Sequence, residues 1–145
     1  MIRPKIAIHT DVVIEYLIHH GNRIPVLRIA MMKFFCYTTV FNAIELFSLA
    51  RTDRERTAVA GALGAMKILG LNAKQAPKYG SWLAEYSRTK PMALLVAGIC
   101  MESKLPLLTY DEKAFRGIRG LRLLRASLVK IENPAEKILT GGETL

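Results

Sequence analysis

The stretch from Ala93 to Asp111, ALLVAGICMESKLPLLTYD, decides how this chain folds. Its first part contains small and aliphatic residues and predicts a buried helix over residues 92–103, which Lys90-Pro91 opens because proline suits the first helical turn. Its second part, Leu105 to Thr109, is a near-continuous apolar run of the kind found in strands buried inside a parallel sheet. The stretch therefore predicts a helix that leads into a buried strand ending in Thr-x-Asp.

The rest of the chain alternates between strand and helix patterns. Apolar runs predict further strands over residues 5–9, 34–38, 67–71 and 121–124, and helical spacing predicts helices over residues 12–19, 23–33, 40–51, 53–66 and 77–87. This alternation predicts a three-layer α/β/α sandwich with a central parallel sheet and right-handed crossovers. We expect one domain over residues 1–132 and a flexible tail over residues 133–145, which lacks a packing pattern.

The composition favours a protein that folds without covalent or metal support. The chain has 145 residues, of which 51% are hydrophobic, and this is enough to fill one core. Cys36 and Cys100 lie in apolar segments, which predicts buried thiols in a reducing compartment. The apolar run before Asp11 is too short for a signal peptide or a membrane span, so we expect a cytoplasmic protein with no membrane partner.

Polar residues collect where the predicted strands end. His9, Thr10 and Asp11 end the first strand, and Thr109 and Asp111 end the strand of the opening stretch. In a parallel α/β sheet, ligands bind at the carboxyl ends of the strands, so we expect these residues to share one edge. Glu45 lies in the helix that follows the second strand, in an otherwise apolar segment where a carboxylate needs a partner or a functional role.

These segments together resemble the PIN-domain nucleases. The resemblance covers nearly the whole chain: the turn IAIHTDVVIEYL from Ile6, the Glu45-Leu46 pair in FNAIEL, and the stretch that ends LPLLTYDEKAF, which is similar to the VapC-type toxins of that family. It implies a metal-dependent endoribonuclease that cleaves RNA. Carboxylates in such a site hold Mg²⁺ or Mn²⁺, which activates water and stabilises the developing charge.

The resemblance also assigns roles to individual residues. It implies that Glu45 and Asp111 are catalytic metal ligands, that Asp11 is a further metal ligand, and that Thr10, Asn42 and Thr109 support them. His9 and Ala93 stand at two positions where the family has aspartates. Loss of two carboxylates predicts weak or absent Mg²⁺ binding, and a site with one histidine and two or three carboxylates suits Mn²⁺ or Zn²⁺ better.

Two functions therefore stay open. The first is a VapC-type endoribonuclease whose activity is impaired or lost, and Ala93 is compatible with either a natural or an engineered loss. The second is a non-catalytic PIN-like module that binds RNA or an antitoxin-like protein. A homodimer is expected in both cases. A basic α/β adaptor without any site is a third hypothesis, which requires Glu45 and Asp111 to lie apart.

The charge of the chain is relevant to both functions. Lys and Arg number 21 against 12 Asp and Glu, which gives a net charge of +9 and suits a polyanionic partner. The candidate nucleic-acid residues are the arginines of two clusters, Arg51, Arg54, Arg116 and Arg119. Each cluster is equally compatible with a solvated surface or with docking of an acidic antitoxin segment.

Ordinary structural roles compete with the site roles. Asp11 and Asp111 each precede a helical segment and have the sequence of a helix N-cap. His9 at a strand end is compatible with a structural histidine, and Asn42 with a side chain that caps a backbone group.

Overall fold

A five-stranded parallel sheet forms the centre of the computed structural model, which describes residues 3–129. The strands lie in the order β3-β2-β1-β4-β5, and every neighbouring pair is parallel. Their bounds are β1 Lys5–Ile8, β2 Phe35–Thr39, β3 Lys67–Leu69, β4 Leu107–Thr109 and β5 Leu123–Arg125. The predicted sandwich with a central parallel sheet is confirmed.

Helices connect the strands and cover both faces of the sheet. Their bounds are α1 Thr10–Ile18, α2 Val26–Lys33, α3 Val40–Leu49, α4 Asp53–Gly64, α5 Ala76–Glu85, α6 Pro91–Glu102 and α7 Glu112–Phe115, with short 3₁₀ turns at Ala73–Gln75 and Ala126–Leu128. Among residues 3–129, no helix is both long enough and apolar enough to cross a membrane. The predicted domain end at 132 and the tail lie outside the described residues.

Two hydrophobic cores lie on opposite faces of the sheet. On one face, Ile6 and Ile8 of β1 pack with buried residues of α1, α2, α3 and α4. On the other face, Ala7 and Leu107 pack with the buried side of α6 and with Phe115. Alternate residues of β1 therefore serve different cores, as the two-residue period of a strand requires.

The core under α5 and α6 depends on a close approach at Gly98. A Cβ atom at this position would lie 2.5 Å from a ring carbon of Tyr79 and 2.8 Å from one of Trp82. Both aromatic rings thus rest on the backbone of α6. Tyr79 is buried, and Trp82 is partly buried against the second core.

Capping side chains explain where several helices begin. Thr39 accepts a hydrogen bond from the backbone N–H of Asn42 and starts α3, while Thr52 accepts one from Glu55 and starts α4. In each helix, the side chain of the third residue in turn accepts a hydrogen bond from the backbone N–H of the capping threonine, which completes a capping box. The chain is thereby turned into α3 directly at the carboxyl end of β2.

Some predicted boundaries were wrong. Helix α1 begins at Thr10 with His9 at its N-cap position, so Asp11 lies in the first turn and is not the N-cap. Strand β4 begins at Leu107 and not at Leu105, and β5 begins at Leu123. The prediction that Asp111 is compatible with a helix N-cap is confirmed, because its side chain caps α7.

Candidate functional site

Pairing of β1 with β4 creates the candidate site. Ala7 lies beside Leu107 and Ile8 beside Leu108, so the residues that follow both strands meet at the carboxyl edge of the sheet. Two polar networks occupy this edge. One is centred on Asp11 and the other on Asn42.

The Asp11 network joins the start of α1 to the end of β4. Oδ2 of Asp11 accepts hydrogen bonds from the Thr109 hydroxyl at 2.7 Å and from the backbone N–H groups of Tyr110 at 3.0 Å and Asp111 at 3.1 Å. Three donors therefore surround one carboxylate oxygen. The other oxygen, Oδ1, is shielded from solvent and has no hydrogen-bond partner within residues 3–129.

Asp111 lies beside this network with an exposed side chain. Its Oδ1 accepts a hydrogen bond from the Ala114 backbone N–H at 3.2 Å, which caps α7. Its own backbone N–H donates to Asp11 and also to the Thr109 hydroxyl at 3.0 Å. One oxygen of Asp111 thus has a structural role and its backbone is held in place.

The Asn42 network joins α3 to the end of β1. Asn42 is buried, and its Oδ1 accepts hydrogen bonds from the Thr39 hydroxyl at 2.7 Å and from the Thr39 N–H at 3.3 Å. Its Nδ2 donates to the Thr10 hydroxyl at 2.9 Å and faces Nδ1 of His9 at 3.0 Å. Both acceptor positions of the amide oxygen and both N–H donors of the amide nitrogen are therefore used.

This arrangement determines the proton position on His9. The Thr39 N–H is only a donor, so the Asn42 atom that faces it must be the oxygen, and Nδ2 must face His9. Nδ1 of His9 is therefore an acceptor without a proton, and the neutral ring carries its proton on Nε2. A metal at Nε2 would require the proton to move to Nδ1, where it would oppose the N–H of Asn42.

Burial makes the neutral form of His9 favourable. Desolvation lowers the pKa of the imidazole below its ordinary value, although the negative charges of Asp11, Glu45 and Asp111 act in the opposite direction. The ring also meets the edge of Phe115, with the ring centroids 4.9 Å apart and the planes nearly perpendicular. His9 is thus packed as a neutral, hydrogen-bonded ring.

Glu45 and Ala93 complete the set of residues that the sequence singled out. Glu45 is half-buried on α3, one turn after Asn42, and within residues 3–129 no hydrogen bond or ion pair engages its carboxylate. Ala93 lies in the first turn of α6 and is only 8% exposed, packed in the second core. It supplies no ligand where the resemblance places an aspartate.

The residues present do not fit a divalent metal ion. Within the described part of the chain, no three His, Cys, Asp or Glu side chains are placed to hold one. Three observations explain the misfit: His9 faces a donor, Oδ2 of Asp11 is occupied by three donors and leaves only the buried Oδ1 free, and Ala93 has no carboxylate. The metal roles of Glu45 and Asp111 stay predictions.

Of the arginines that lie near the four nominated ones in sequence, two pair with carboxylates and one donates to a backbone carbonyl. Arg125 pairs with Glu112, and Arg56 pairs with Asp53 at 3.0 Å. Arg122 donates to the carbonyl of Lys104 at 3.3 Å. The four arginines nominated for nucleic-acid binding, Arg51, Arg54, Arg116 and Arg119, are exposed, and their guanidinium groups form no ion pair within residues 3–129.

The decisive comparison is with known families. A sequence model of the PIN domain matches residues 6–121. The chain belongs to the PIN domain family. PIN domains generally use divalent metal ions, so the misfit described above sets this PIN domain apart from the usual pattern of its family. No curated protein matches the chain significantly.

Solved structures with the same fold are VapBC and FitAB assemblies. DNA-bound VapBC from Salmonella typhimurium matches with a TM-score of 0.69 and 18% identity over 85% of this chain and 98% of that chain. VapBC2 from Rickettsia felis, bound to a promoter DNA fragment, matches with a TM-score of 0.67 and 18% identity over 86% and 98%. FitAcB from Neisseria gonorrhoeae matches with a TM-score of 0.64 and 15% identity over 85% and 99%. At these identities, the likeness supports the PIN fold.

Two residues of the site were missed at the sequence level. Thr39 holds Asn42 in place, and Phe115 contacts the ring of His9. The capping box gave a usable signal for Thr39, since a threonine lies three residues before a polar amide at the start of an apolar helix. For Phe115 the sequence contains no such signal, because the contact joins residues that are far apart in the chain.

Proposed function

We propose that this PIN-domain protein of the VapC type acts as a binding module for an antitoxin-like protein, and that metal-dependent RNA cleavage is lost or strongly impaired. The hydrogen bond between Asn42 and His9 is the observation that carries the proposal, because it holds Nδ1 of His9 as an acceptor. In this state Nε2 carries a proton, so it has no lone pair with which to bind a metal ion. Together with Ala93, this removes two of the four ligand positions that the family uses.

The remaining carboxylates support the same conclusion. Mg²⁺ requires several oxygen ligands in octahedral geometry, and each missing carboxylate removes both a ligand and a negative charge. Asp11 uses one oxygen to hold β4 against α1, and Asp111 uses one oxygen to cap α7. Glu45 has no described hydrogen-bond or ion-pair partner, and Oδ1 of Asp11 is also without one. With two of the four family carboxylates replaced, these free oxygens are a weak basis for metal catalysis.

The protein partner is supported by exposed apolar surface and by the structural comparisons. Ile44 and Phe47 are 55% and 40% exposed, and their spacing of three residues places them on one face of α3. Large exposed apolar side chains that cluster are typical of protein interaction sites. The similar structures are toxin–antitoxin complexes, and the net charge of +9 suits an acidic partner segment.

RNA cleavage at a weakened site is the second candidate function. It is favoured by the proximity of three carboxylates, since Asp11, Glu45 and Asp111 all act electrostatically on the pKa of His9. A site of this kind would prefer Mn²⁺ to Mg²⁺ because nitrogen and few oxygens surround it. Glu45 and Asp111 would then be the catalytic residues.

A cleavage assay with engineered carboxylates separates the two functions. The chain, Glu45→Ala and the double variant His9→Asp/Ala93→Asp are incubated with single-stranded RNA in Mg²⁺, Mn²⁺ or a chelator. We expect no metal-dependent cleavage by the chain and Mg²⁺ binding by the double variant, measured by calorimetry. Cleavage that requires Mn²⁺ and disappears in Glu45→Ala would instead support the second function.

Substitutions on α3 test whether Ile44 and Phe47 bind the protein partner. Ile44→Lys/Phe47→Lys should abolish stoichiometric co-purification of a protein from the native cells, while Ile68→Lys, an equally apolar and exposed position on β3, should leave it unchanged. Sedimentation velocity of the purified variants shows whether the covered surface belongs to a homodimer. Equal behaviour of both variants would contradict the assignment of α3.

RNA as an alternative partner is tested through the unpaired arginines. Arg116→Gln/Arg119→Gln should weaken RNA binding and reduce its dependence on salt, because phosphate contacts release counterions. Arg56→Gln is the matched control, since its guanidinium is paired with Asp53. RNA binding that is unaffected by all three substitutions would exclude these arginines from the interface.

A further inference from the structure

A cavity of about 380 Å³ lies at the opposite end of the sheet from the candidate site. Residues 35–37 at the amino end of β2 form part of its wall, whereas His9 and Asp11 follow the carboxyl end of β1. Its size lies within the range of roughly 300–1,000 Å³ that is typical of small-molecule sites. No residue discussed for metal binding or RNA binding lines it.

The register of the sheet explains why the cavity exists. Strand β3 begins at Lys67, which lies opposite Tyr37, so Phe35 and Cys36 extend beyond the amino end of β3. The chain before β3 is the end of α4, where Ala65 is the C-cap and lines the cavity. The first half of β2 is thus left without a neighbouring strand on one side, and the cavity occupies this space.

The wall of the cavity is apolar and aromatic. Its lining includes the aromatic residues Phe34, Phe35 and Tyr37 and the sulfur-containing residues Met31 and Cys36, a residue type that packs well against aromatic groups. Burial raises the pKa of the Cys36 thiol to about 11, although the positive charge of Arg3 acts in the opposite direction. The Cys36 thiol therefore stays protonated at neutral pH and adds no negative charge to the wall.

The charges at the cavity all have one sign. Arg3 and Lys67 line it, and no aspartate or glutamate does. Within the described part of the chain, neither cation forms a salt bridge. Arg3 donates from Nη1 to the carbonyl of Met31 at 3.1 Å, which orients its guanidinium at the cavity without neutralising it. An apolar cavity with two uncompensated cations favours an anion that has an apolar body.

We propose that this cavity binds a small aromatic carboxylate, whose ring packs against the apolar wall at the open edge of β2 and whose charge faces Arg3 and Lys67. Aromatic rings pack favourably against one another, and sulfur atoms such as those of Met31 and Cys36 pack well against ring edges. A guanidinium group binds a carboxylate through two parallel N–H donors, and a lysine adds a point charge. The site is independent of metal binding and of the partner surface on α3.

Calorimetric titration with 2-naphthoate and with its neutral analogue 2-naphthamide tests the proposal. We expect the carboxylate to bind about fivefold more tightly than the amide. This difference in affinity corresponds to two ion pairs, with Arg3 and Lys67, that are partly exposed to solvent. Lys67→Met and Arg3→Met should each reduce this preference, because each removes a positive charge that favours the carboxylate over the amide. Lys33→Met is the matched control, because Lys33 is an exposed lysine at the end of α2 that does not line the cavity.

A steric variant locates the ligand. Ala65→Trp places a large ring at the cavity from an exposed helix end and should abolish naphthoate binding without lowering the melting temperature. Equal affinities for carboxylate and amide, or unchanged binding in Ala65→Trp, would overturn the proposal. A dimer in sedimentation velocity that Ala65→Trp dissociates would also overturn it, since a second copy of the chain would then cover this face.

Discussion

The two networks at the carboxyl edge of the sheet hold the same corner of the fold by different means. Around Asp11, a charged oxygen gathers one hydroxyl and two backbone N–H groups. Around Asn42, a neutral amide matches two donors with its oxygen and two acceptors with its nitrogen. The first network has a surplus of negative charge, and the second has none.

This difference shows why the edge does not fit a divalent cation. A metal site needs carboxylate oxygens that face one point and are not already used by other donors. On the Asp11 side, one carboxylate oxygen already accepts three structural hydrogen bonds and only the buried Oδ1 is free, and on the Asn42 side there is no charge. A fold can therefore keep the arrangement of a catalytic edge after its chemistry has changed.

The largest effect is expected when the neutral network is broken. Asn42→Ala removes four side-chain hydrogen bonds, including the reciprocal half of the capping box of α3, and leaves the buried Thr39 N–H and Thr10 hydroxyl without these partners. We expect a loss of about 3 kcal/mol in the free energy of unfolding, measured by urea denaturation. Asn72→Ala removes a similar capping box from an exposed 3₁₀ turn and should cost clearly less. Similar losses in both variants would contradict the role of the buried network.

A smaller effect is expected when the charged network is broken. Asp11→Ala leaves the Thr109 hydroxyl and two backbone N–H groups without their acceptor, but water can reach the exposed residues Tyr110 and Asp111. The expected loss in the free energy of unfolding is about 2 kcal/mol. Asp53→Ala, in the fully exposed first turn of α4, serves as the control. A change of equal size at Asp53 would mean that charge, and not hydrogen bonding, explains the result.

The smallest expected effect is a pH dependence of the free energy of unfolding, which His9 causes. Burial lowers the pKa of His9 in the folded chain below the ordinary value of 6.5. The unfolded chain then binds more protons, so the stability from neutral His9 is present above pH 6.5 and declines as the pH falls toward the folded pKa. The slope is at most about 1.4 kcal/mol per pH unit. Chemical denaturation at pH 7.5 and 5.5 measures it.

His9→Gln should flatten this pH dependence, whereas His20→Gln should not, because His20 is exposed beyond the end of α1. A wild-type stability that rises between pH 7.5 and 5.5 would contradict the assignment of His9 as a neutral, buried ring.

The fold was accessible from the sequence because its strongest signals are local. The apolar run before Asp111 and the alternation of strands and helices identified the parallel sheet. Strand ends were less predictable, since β4 begins only where Leu107 meets β5 and β1 in register. Helix α7 has four residues, which is too short for a periodic pattern.

The candidate site was only partly predictable. The residues at the strand ends were identified correctly as neighbours, because parallel strands bring their carboxyl ends together. Their roles depend on which atoms meet: Asn42 lies 33 residues from His9, and the orientation of one amide decides which nitrogen carries the proton. Such information is absent from any local segment.

The position of β1 has a consequence for how the chain acquires its structure. Strand β1 precedes the other described strands in sequence and lies in the middle of the sheet, and its partner β4 follows about a hundred positions later. Pairings between segments so distant in sequence form slowly, because a long loop must close before any contact is gained. During synthesis, β1, β2 and β3 can associate while the edge of β1 that β4 will cover stays open. Asp11 can therefore receive its three donors only after β4 has been synthesised.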